Sequence, residues 1–416
     1  MNWPTVRLSD VAPAVPADKR FESDTNVWLL SLDQIESHTG EIASKKYAPA
    51  SMAGTSTFAF DVGNVLYSKL RPYLNKVSLP DEPGIATTEL VPLRPNPKVL
   101  DRRYLAYYLR APLFVARASA RVAGAKMPRV QMDWLRAYEL PLPPLSEQRR
   151  VVEILEQTNN LRICARVADA KAARILPALF LKMFGDPSTN PMDWPVKSIK
   201  DVANVVGGAT PRTEQEEYFG GDILWATPKD LSNLDDYLIS DTSTKLTDEG
   251  VASCSTKILP PGSLLLSSRA PIGLVAINAK PMCTNQGFKS LVPRDEITPW
   301  YLLGWALLAK DYIQSQGRGA TFTEISKAIV ENLRIPVPDR KLQDRFSRHM
   351  TSVRTVLLQA KKSAAQLDEV WANLLQLAFS GQLTSEWRKA HMQELLAEMQ
   401  EQARILGLPV AELLEI

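Results

Sequence analysis

The chain has 416 residues, 45% hydrophobic and 7% aromatic, and a formal net charge of +3, a composition that fits two or three globular domains with full cores. No apolar run approaches the ~18 to 20 residues of a membrane span, and the opening MNWPTVRLSD lacks the basic-then-apolar order of a secretion signal. Cys164, Cys254 and Cys283, with His38, His349 and His391, are too few and too scattered for a disulfide framework or a metal cluster, so a cytoplasmic protein without bound metal is expected.

In chain order, residues 3–12 read WPTVRLSDVA. Short β-branched or aromatic runs follow, NVWLLSL, TSTFAF, NVLYSKL and ELVPL, punctuated by Pro, Gly, Asn and Asp, and they read as strands. An amphipathic helix is expected near residues 103–110. Between Arg110 and Arg136 stand six basic residues, Arg110, Arg117, Arg121, Lys126, Arg129 and Arg136, against Asp133 alone. Such a patch suits a polyanion partner, although a charge run also serves as a plain solvated face.

At residues 140–186 the prolines at 141, 143 and 144 form an extended lead-in that cannot enter a helix, and Ser146 offers an N-cap with Glu147 beside it. One long helix is expected from there. Val151, Leu155, Thr158, Leu161, Ala165, Ala168, Ala172, Ile175, Leu179 and Met183 recur at steps of three and four, the seam of a coiled coil. Residues 186–193, DPSTNPMD, read as a turn-rich linker.

The second half then repeats the first. Residues 194–203 read WPVKSIKDVA, the run from Gly63 to Ser68 answers that from Gly262 to Ser267, Pro72 answers Pro271, and Tyr104-Leu105 answers Tyr301-Leu302. Its strands are ILWATP, SLLLSS, LVAIN and KSLVP, with a helix near 300–309. A shift of 195 lays Pro141 on Pro336, Gln148 on Gln343 and Phe184 on Phe379, and a second seam runs through Leu342, Phe346, Met350, Val353, Leu357, Ala360, Ala364, Leu367, Trp371, Leu374 and Ala378. Domain, helix, domain, helix is the predicted order. A helix of ~38 residues spans ~57 Å, enough to hold two globules apart on one duplex with a pseudo-two-fold relation between them. From Thr384 an acidic amphipathic tail, with Leu395, Met399 and Ile405 on one side, has no counterpart and reads as a packing helix or a docking surface.

Material for catalysis is weak. The turn at 207–212 lacks the Gly-Lys-Ser/Thr ending of a phosphate loop, no GxGxxG occurs, no Glu has Lys two places on, and the Asn-Pro-Pro or Asp-Pro-Pro tetrapeptide of a DNA methyltransferase is missing. No catalytic residue is assigned, and an enzyme reading falls back on the isolated carboxylates Asp18, Glu89 and Asp222. Polar loops suited to phosphates and base edges recur instead at matching places in both halves. The first half offers Lys69, Arg71, Tyr73 and Lys76, then Thr88, then Lys126, Arg129 and Gln131, with Asn75 and Gln131 able to pair with adenine. The second offers Arg212, Tyr218, Thr227, Lys229, Ser268, Arg269, Asn285, Gln286, Lys289, Arg318 and Thr321.

GGATPRTEQEEYFGGDILWATPKDLS (207–232), LLLSSRAPIGLVAINAKPMCTNQGFKSLVP (264–293), LPLPPLSEQRRVVEIL (140–155) and FGDP (184–187) resemble the specificity subunit of type I restriction-modification systems. The likeness covers roughly residues 1–385, with looser motifs in the first half. It implies an α+β fold with two similar α/β target recognition domains, 1–144 and 187–338, separated by two long antiparallel coiled-coil helices, 145–186 and 339–381; the acidic helical tail, 382–416, lies outside the likeness. It also implies a non-catalytic reader of a bipartite asymmetric DNA site. Its partners would be double-stranded DNA, two modification (methyltransferase) subunits carrying S-adenosylmethionine, and restriction subunits that translocate and cut. The chain itself would hold no cofactor and touch no membrane. Thr227, Lys229, Ser268, Arg269, Asn285 and Gln286 are the positions where a family motif falls on a candidate reader. A duplicated protein-interaction scaffold without DNA readout is the rival expectation.

Overall fold

A computed structural model of the chain describes residues 3–172, 174–269, 271–317 and 324–408, without the side chain of Ala170. The chain divides into two compact units, Met1–Ala165 with Ser363–Ile416, and Arg166–Lys362. Both mix helices with mostly antiparallel sheet.

In the first unit, Val65–Ser68 lies between Val77–Ser78 and Leu90–Leu93. All four of its residues are buried, so neither face needs the polar residues of an alternating strand, and the Ser68 hydroxyl is satisfied by Leu70 O. A four-stranded sheet takes Tyr47–Pro49, Asn26–Leu30, Gly84–Thr87 and Thr57–Phe60 in that spatial order. In the second unit the central Leu264–Leu266 is again wholly buried, within a sheet ordered Ala203–Gly207, Lys289–Pro293, Leu264–Leu266, Val275–Asn278, Leu238–Ile239. The duplication is visible in register as well: Thr5–Arg7 pairs antiparallel with Glu139–Pro141, setting Thr5 against Pro141, and Val196–Ser198 pairs with Arg334–Pro336, setting Val196 against Pro336.

Each unit also has one helix capped at equivalent places. Asp101 accepts from the Arg103 and Tyr104 amides at the start of Arg102–Arg110, and Thr298 accepts from the Tyr301 amide at the start of Pro299–Leu308. A glutamine from a long helix then grips each cap. The Asp101 amide donates to Gln148 Oε1 at 2.8 Å, and Gln148 Nε2 donates to the Val99 and Pro143 carbonyls, both at 2.8 Å. The Thr298 amide donates to Gln343 Oε1 at 2.9 Å, and Gln343 Nε2 donates to Glu296 O at 3.0 Å and Pro338 O at 2.8 Å. Both glutamines are fully buried.

The long helices depart from expectation at a break in the first and at several seam positions. The first is two segments, Leu145–Ala172 and Ile175–Phe184, because Pro177 has no amide to donate and its ring would strike the carbonyl four residues back in an unbroken helix. In the first turn of a new helix that amide is not needed. Beyond the break Leu176, Phe180 and Phe184 are buried while Ile175 is 38% exposed, so the face turned inward lies one residue along from the expected seam, and Leu161, at 58%, is not buried either. The second helix, Arg340–Phe379, is continuous, with Phe346, Met350, Leu375 and Ala378 buried.

Within each unit the helical segments run antiparallel. In the first, Val151 and Leu155 share a core with Leu375 and Ala378, and Arg162 meets Asp368 at 2.6 Å. In the second, Phe180 and Phe184 pack on Phe346. The repeated aromatic contact is Phe379 against Tyr104 in one unit and Phe184 against Tyr301 in the other. Gly304 exists because Phe180 lies flat on it: a Cβ there would enter the ring.

The tail folds back on the first unit as Ser385–Ala390 and Met392–Leu406. Glu147, fully buried, accepts from Arg388 at 2.7 Å, from the Thr384 hydroxyl at 2.6 Å and from the Trp3 indole at 3.0 Å. Gln402 Nε2 reaches Val99 O and Pro143 O, and the Ser146 amide donates to Glu398. Leu395 and Met399 are buried, so the packing-helix reading describes this tail.

Candidate nucleic-acid interface

On the first unit three loops are stitched edge to edge. The Lys69 amide donates to Glu89 O at 3.0 Å, the Val130 amide donates to Lys69 O at 2.9 Å, the Arg71 amide donates to Pro128 O at 2.8 Å, and Leu70 bridges Arg129. Across this frame the Arg129 guanidinium grips the Glu89 carboxylate, Nε at 3.0 Å and a terminal nitrogen at 2.7 Å. Those hydrogen bonds hold the Glu89 carboxyl below its ordinary value, against the opposing effect of partial burial. Arg71, Tyr73, Thr88, Lys126 and Gln131 are exposed on these loops, and Lys69 is half-buried.

Other expected readers are occupied by the fold. Lys76 donates its ammonium to Leu32 O at 2.6 Å and Asn75 its amide to Arg110 O at 3.0 Å. The basic run 110–136 thins out in the same way. The Arg110 guanidinium donates to Val77 O, and burial lowers its pKa to about 10; Arg117 donates to the Tyr138 hydroxyl, Arg136 to Asp133, and Arg129 to Glu89. Arg121 and Lys126 are left as its exposed cations without a side-chain hydrogen bond or ion pair among the described residues.

The second unit repeats the frame with other side chains. The Ser268 amide donates to Gly287 O at 2.7 Å, the Ile325 amide donates to Ser268 O at 3.0 Å, and Arg269 bridges Glu324, the places of Lys69 and Leu70 in the first unit. Here the ion pair is reversed, with Lys289 donating to Glu324 at 3.5 Å. The turn at 207–210 lies flat on this frame: a Cβ at Gly208 would run into the Thr284 and Asn285 carbonyls, Ala209 donates to Thr284 O at 3.0 Å, and the Trp225 indole donates to Ala209 O at 3.1 Å. Thr210 donates its hydroxyl to Gln286, and the Asn285 amide donates to Ala226 O, which ties in the loop at 225–230.

Arg212, Lys229 and Gln286 are exposed here, and Arg269, Asn285 and Lys289 half-buried. Ser268 is fully buried with its hydroxyl on Gly287 O at 3.1 Å, so it frames the loop. Thr227 caps Pro228–Ser232 in a reciprocal box with Asp230. Burial opposes ionisation of Asp230, but hydrogen bonds from Thr227 and Ser243 bring its pKa below the ordinary value. The main chain of half-buried Tyr218 lies against Gly250, and its carbonyl accepts from the Thr247 amide at 3.1 Å. Arg318 and Thr321 lie outside the described residues. The sequence reading missed the two counter-ions, Glu89 as a partner for Arg129 and Glu324 for Lys289; an acid set within otherwise basic or neutral loops was the available signal.

Among the described residues no group of three or more His, Cys, Asp or Glu is placed to hold a metal, and no helix is long and apolar enough to cross a membrane.

The model of the type I restriction modification DNA specificity domain matches residues 1–165 and again 191–366. The MjaIX specificity subunit of Methanocaldococcus jannaschii is 38% identical over 182 residues, 43% of this chain and 42% of that protein. The HindI specificity subunit of Haemophilus influenzae is 26% identical over 197 residues, 46% of this chain and 42% of its own length. The chain thus spans about two fifths of the length of these two relatives. A chain from a structure titled for complex assembly and conformational transition of the type I R-M system superposes with a TM-score of 0.63 at 22% identity, covering 92% of this chain and 98% of that one, a likeness of fold. With the family's domain matched twice and accounting for most of its length, the chain belongs to the type I restriction-modification DNA specificity family.

Proposed function

We propose that this chain is the DNA-recognition subunit of a type I restriction-modification complex. It reads a bipartite asymmetric target and leaves chemistry to its partners: two modification subunits carrying S-adenosylmethionine, and restriction subunits that translocate and cut, all acting on double-stranded DNA in the cytoplasm. The observation that carries the reading is the loop frame built twice on a duplicated fold with different polar side chains, the exposed Arg71, Tyr73, Thr88, Lys126 and Gln131 on one copy and the exposed Arg212, Lys229 and Gln286 with the half-buried Arg269 on the other. Two equivalent scaffolds bearing unlike polar groups fit two half-sites of unlike sequence. Residues 1–144 and 187–338 are the two readers in this proposal, and 145–186 and 339–381 the helices that serve the modification subunits.

Sequencing the methylated sites in cells carrying the complex tests it. A motif of two short halves around an unread gap is expected, and Lys126→Ala or Arg269→Ala should reduce methylation while the complex still assembles. Duplex binding that is absent or indifferent to salt would favour a protein scaffold without DNA readout.

A further inference from the structure

Arg71 adopts φ 49° and ψ 64°, the left-handed region. A long side chain is disfavoured there, and a following proline, here Pro72, disfavours it further. Glycine or asparagine would sit at this place more easily.

The fold holds the strained position without the Arg71 side chain. The Arg71 amide donates to Pro128 O at 2.8 Å and its carbonyl accepts from the Leu74 amide at 2.9 Å, while the Asn75 side-chain amide on Arg110 O and the His38 backbone amide on Leu74 O fix the far side of the turn. The guanidinium takes no part: among the described residues it has no hydrogen-bond, ionic or aromatic partner, and the residue is exposed. The duplicated half agrees, since aligning Ser68 with Ser267 and Pro72 with Pro271 puts Ala270 at this place in the sequence. An arginine kept where the backbone resists it and the protein makes no use of its head group is there for something outside the chain.

Resting on the recognition reading above, we propose that Arg71 reads a guanine in the half-site bound by the first unit. A pinned Cα presents the planar fork in a fixed direction, as two parallel hydrogen bonds to guanine O6 and N7 require. Phosphate accepts a cation from many directions, and the exposed Lys126 and the half-buried Lys69 on the same loops meet it without backbone strain.

The test selects DNA from a random duplex library with the full chain bound to its modification subunit, comparing wild type, Arg71→Lys and Arg71→Gly. Both variants should lose preference for guanine at one position of one half-site by about ten- to a hundredfold, with the other half unchanged. Arg71→Gly should melt at the same temperature as wild type or higher. Full discrimination by Arg71→Lys assigns the side chain to phosphate and overturns the proposal. So does an unchanged motif in Arg71→Gly, or a glycine variant that melts lower or does not fold. A wild-type selection that yields no motif sinks the recognition reading and this assignment together.

Discussion

Gln148 and Gln343 grip equivalent helix caps, yet their neighbourhoods differ. Val99 O and Pro143 O have a second donor in Gln402, whereas Glu296 O and Pro338 O depend on Gln343 alone among side-chain donors of the described residues. Truncating Gln343 to alanine therefore strands a buried amide and two carbonyls and should cost about 3 kcal/mol, against about 1 to 2 kcal/mol for Gln148→Ala. Amide exchange at Thr298 and Asp101 in the two variants reports the difference. Glu89 gives a pH signature. Its pKa is depressed in the fold, so the stability it lends is complete above its ordinary value of 4.5 and is lost as pH falls below that. Glu89→Gln should be less stable than wild type at pH ~7 and converge with it near pH ~3, followed by thermal unfolding across that range. At this scale the sequence was readable where the duplication supplied a control, as with Gln148 on Gln343. It was unreadable where a carboxylate's partner comes from a loop 40 residues away, as Arg129 does for Glu89.

Among elements, the second long helix was legible as one continuous helix, but its seam only at the ends: Phe346, Met350 and Ala378 are buried, while Ala360 is exposed and Leu375 is buried in place of Leu374. The first was misread at Pro177. Local periodicity runs smoothly across 161–183, and the proline that ends one helix is tolerated in the next, so the inward face moved from Ile175 and Leu179 to Leu176 and Phe180. The tail was legible as an amphipathic helix, but the identity of its seat was not, since Glu147 meets Arg388 across 241 residues. That contact predicts an asymmetry. Arg388→Ala leaves a carboxylate buried without its counter-charge and should destabilise the first unit by about 3 to 5 kcal/mol. Glu147→Leu combined with Arg388→Leu should recover most of the loss, because Leu342 occupies the matching place in the second half and an apolar pair escapes the desolvation penalty. Limited proteolysis within 384–408 distinguishes the two variants.

For the whole molecule, binding to DNA should be strongly electrostatic despite a net charge of only +3, because the reader loops concentrate their cations. If some six phosphates are neutralised, affinity should drop by about a thousandfold between ~50 and ~200 mM salt, a slope measurable by titration, and Lys126→Ala should lower that slope by about one. The unit Arg166–Lys362 is one contiguous stretch, whereas its companion is assembled from Met1–Ala165 and Ser363–Ile416. A ribosome thus releases everything the later unit needs before it has finished the earlier one. Until residues 371–402 emerge, the nascent amino-terminal body waits with Tyr104 and Tyr108 lacking Phe379, and Glu147 lacking Arg388. Chains cut short before these residues would stay in that unfinished state, open to proteases, so that synthesis through residue 402 licenses the first half to fold.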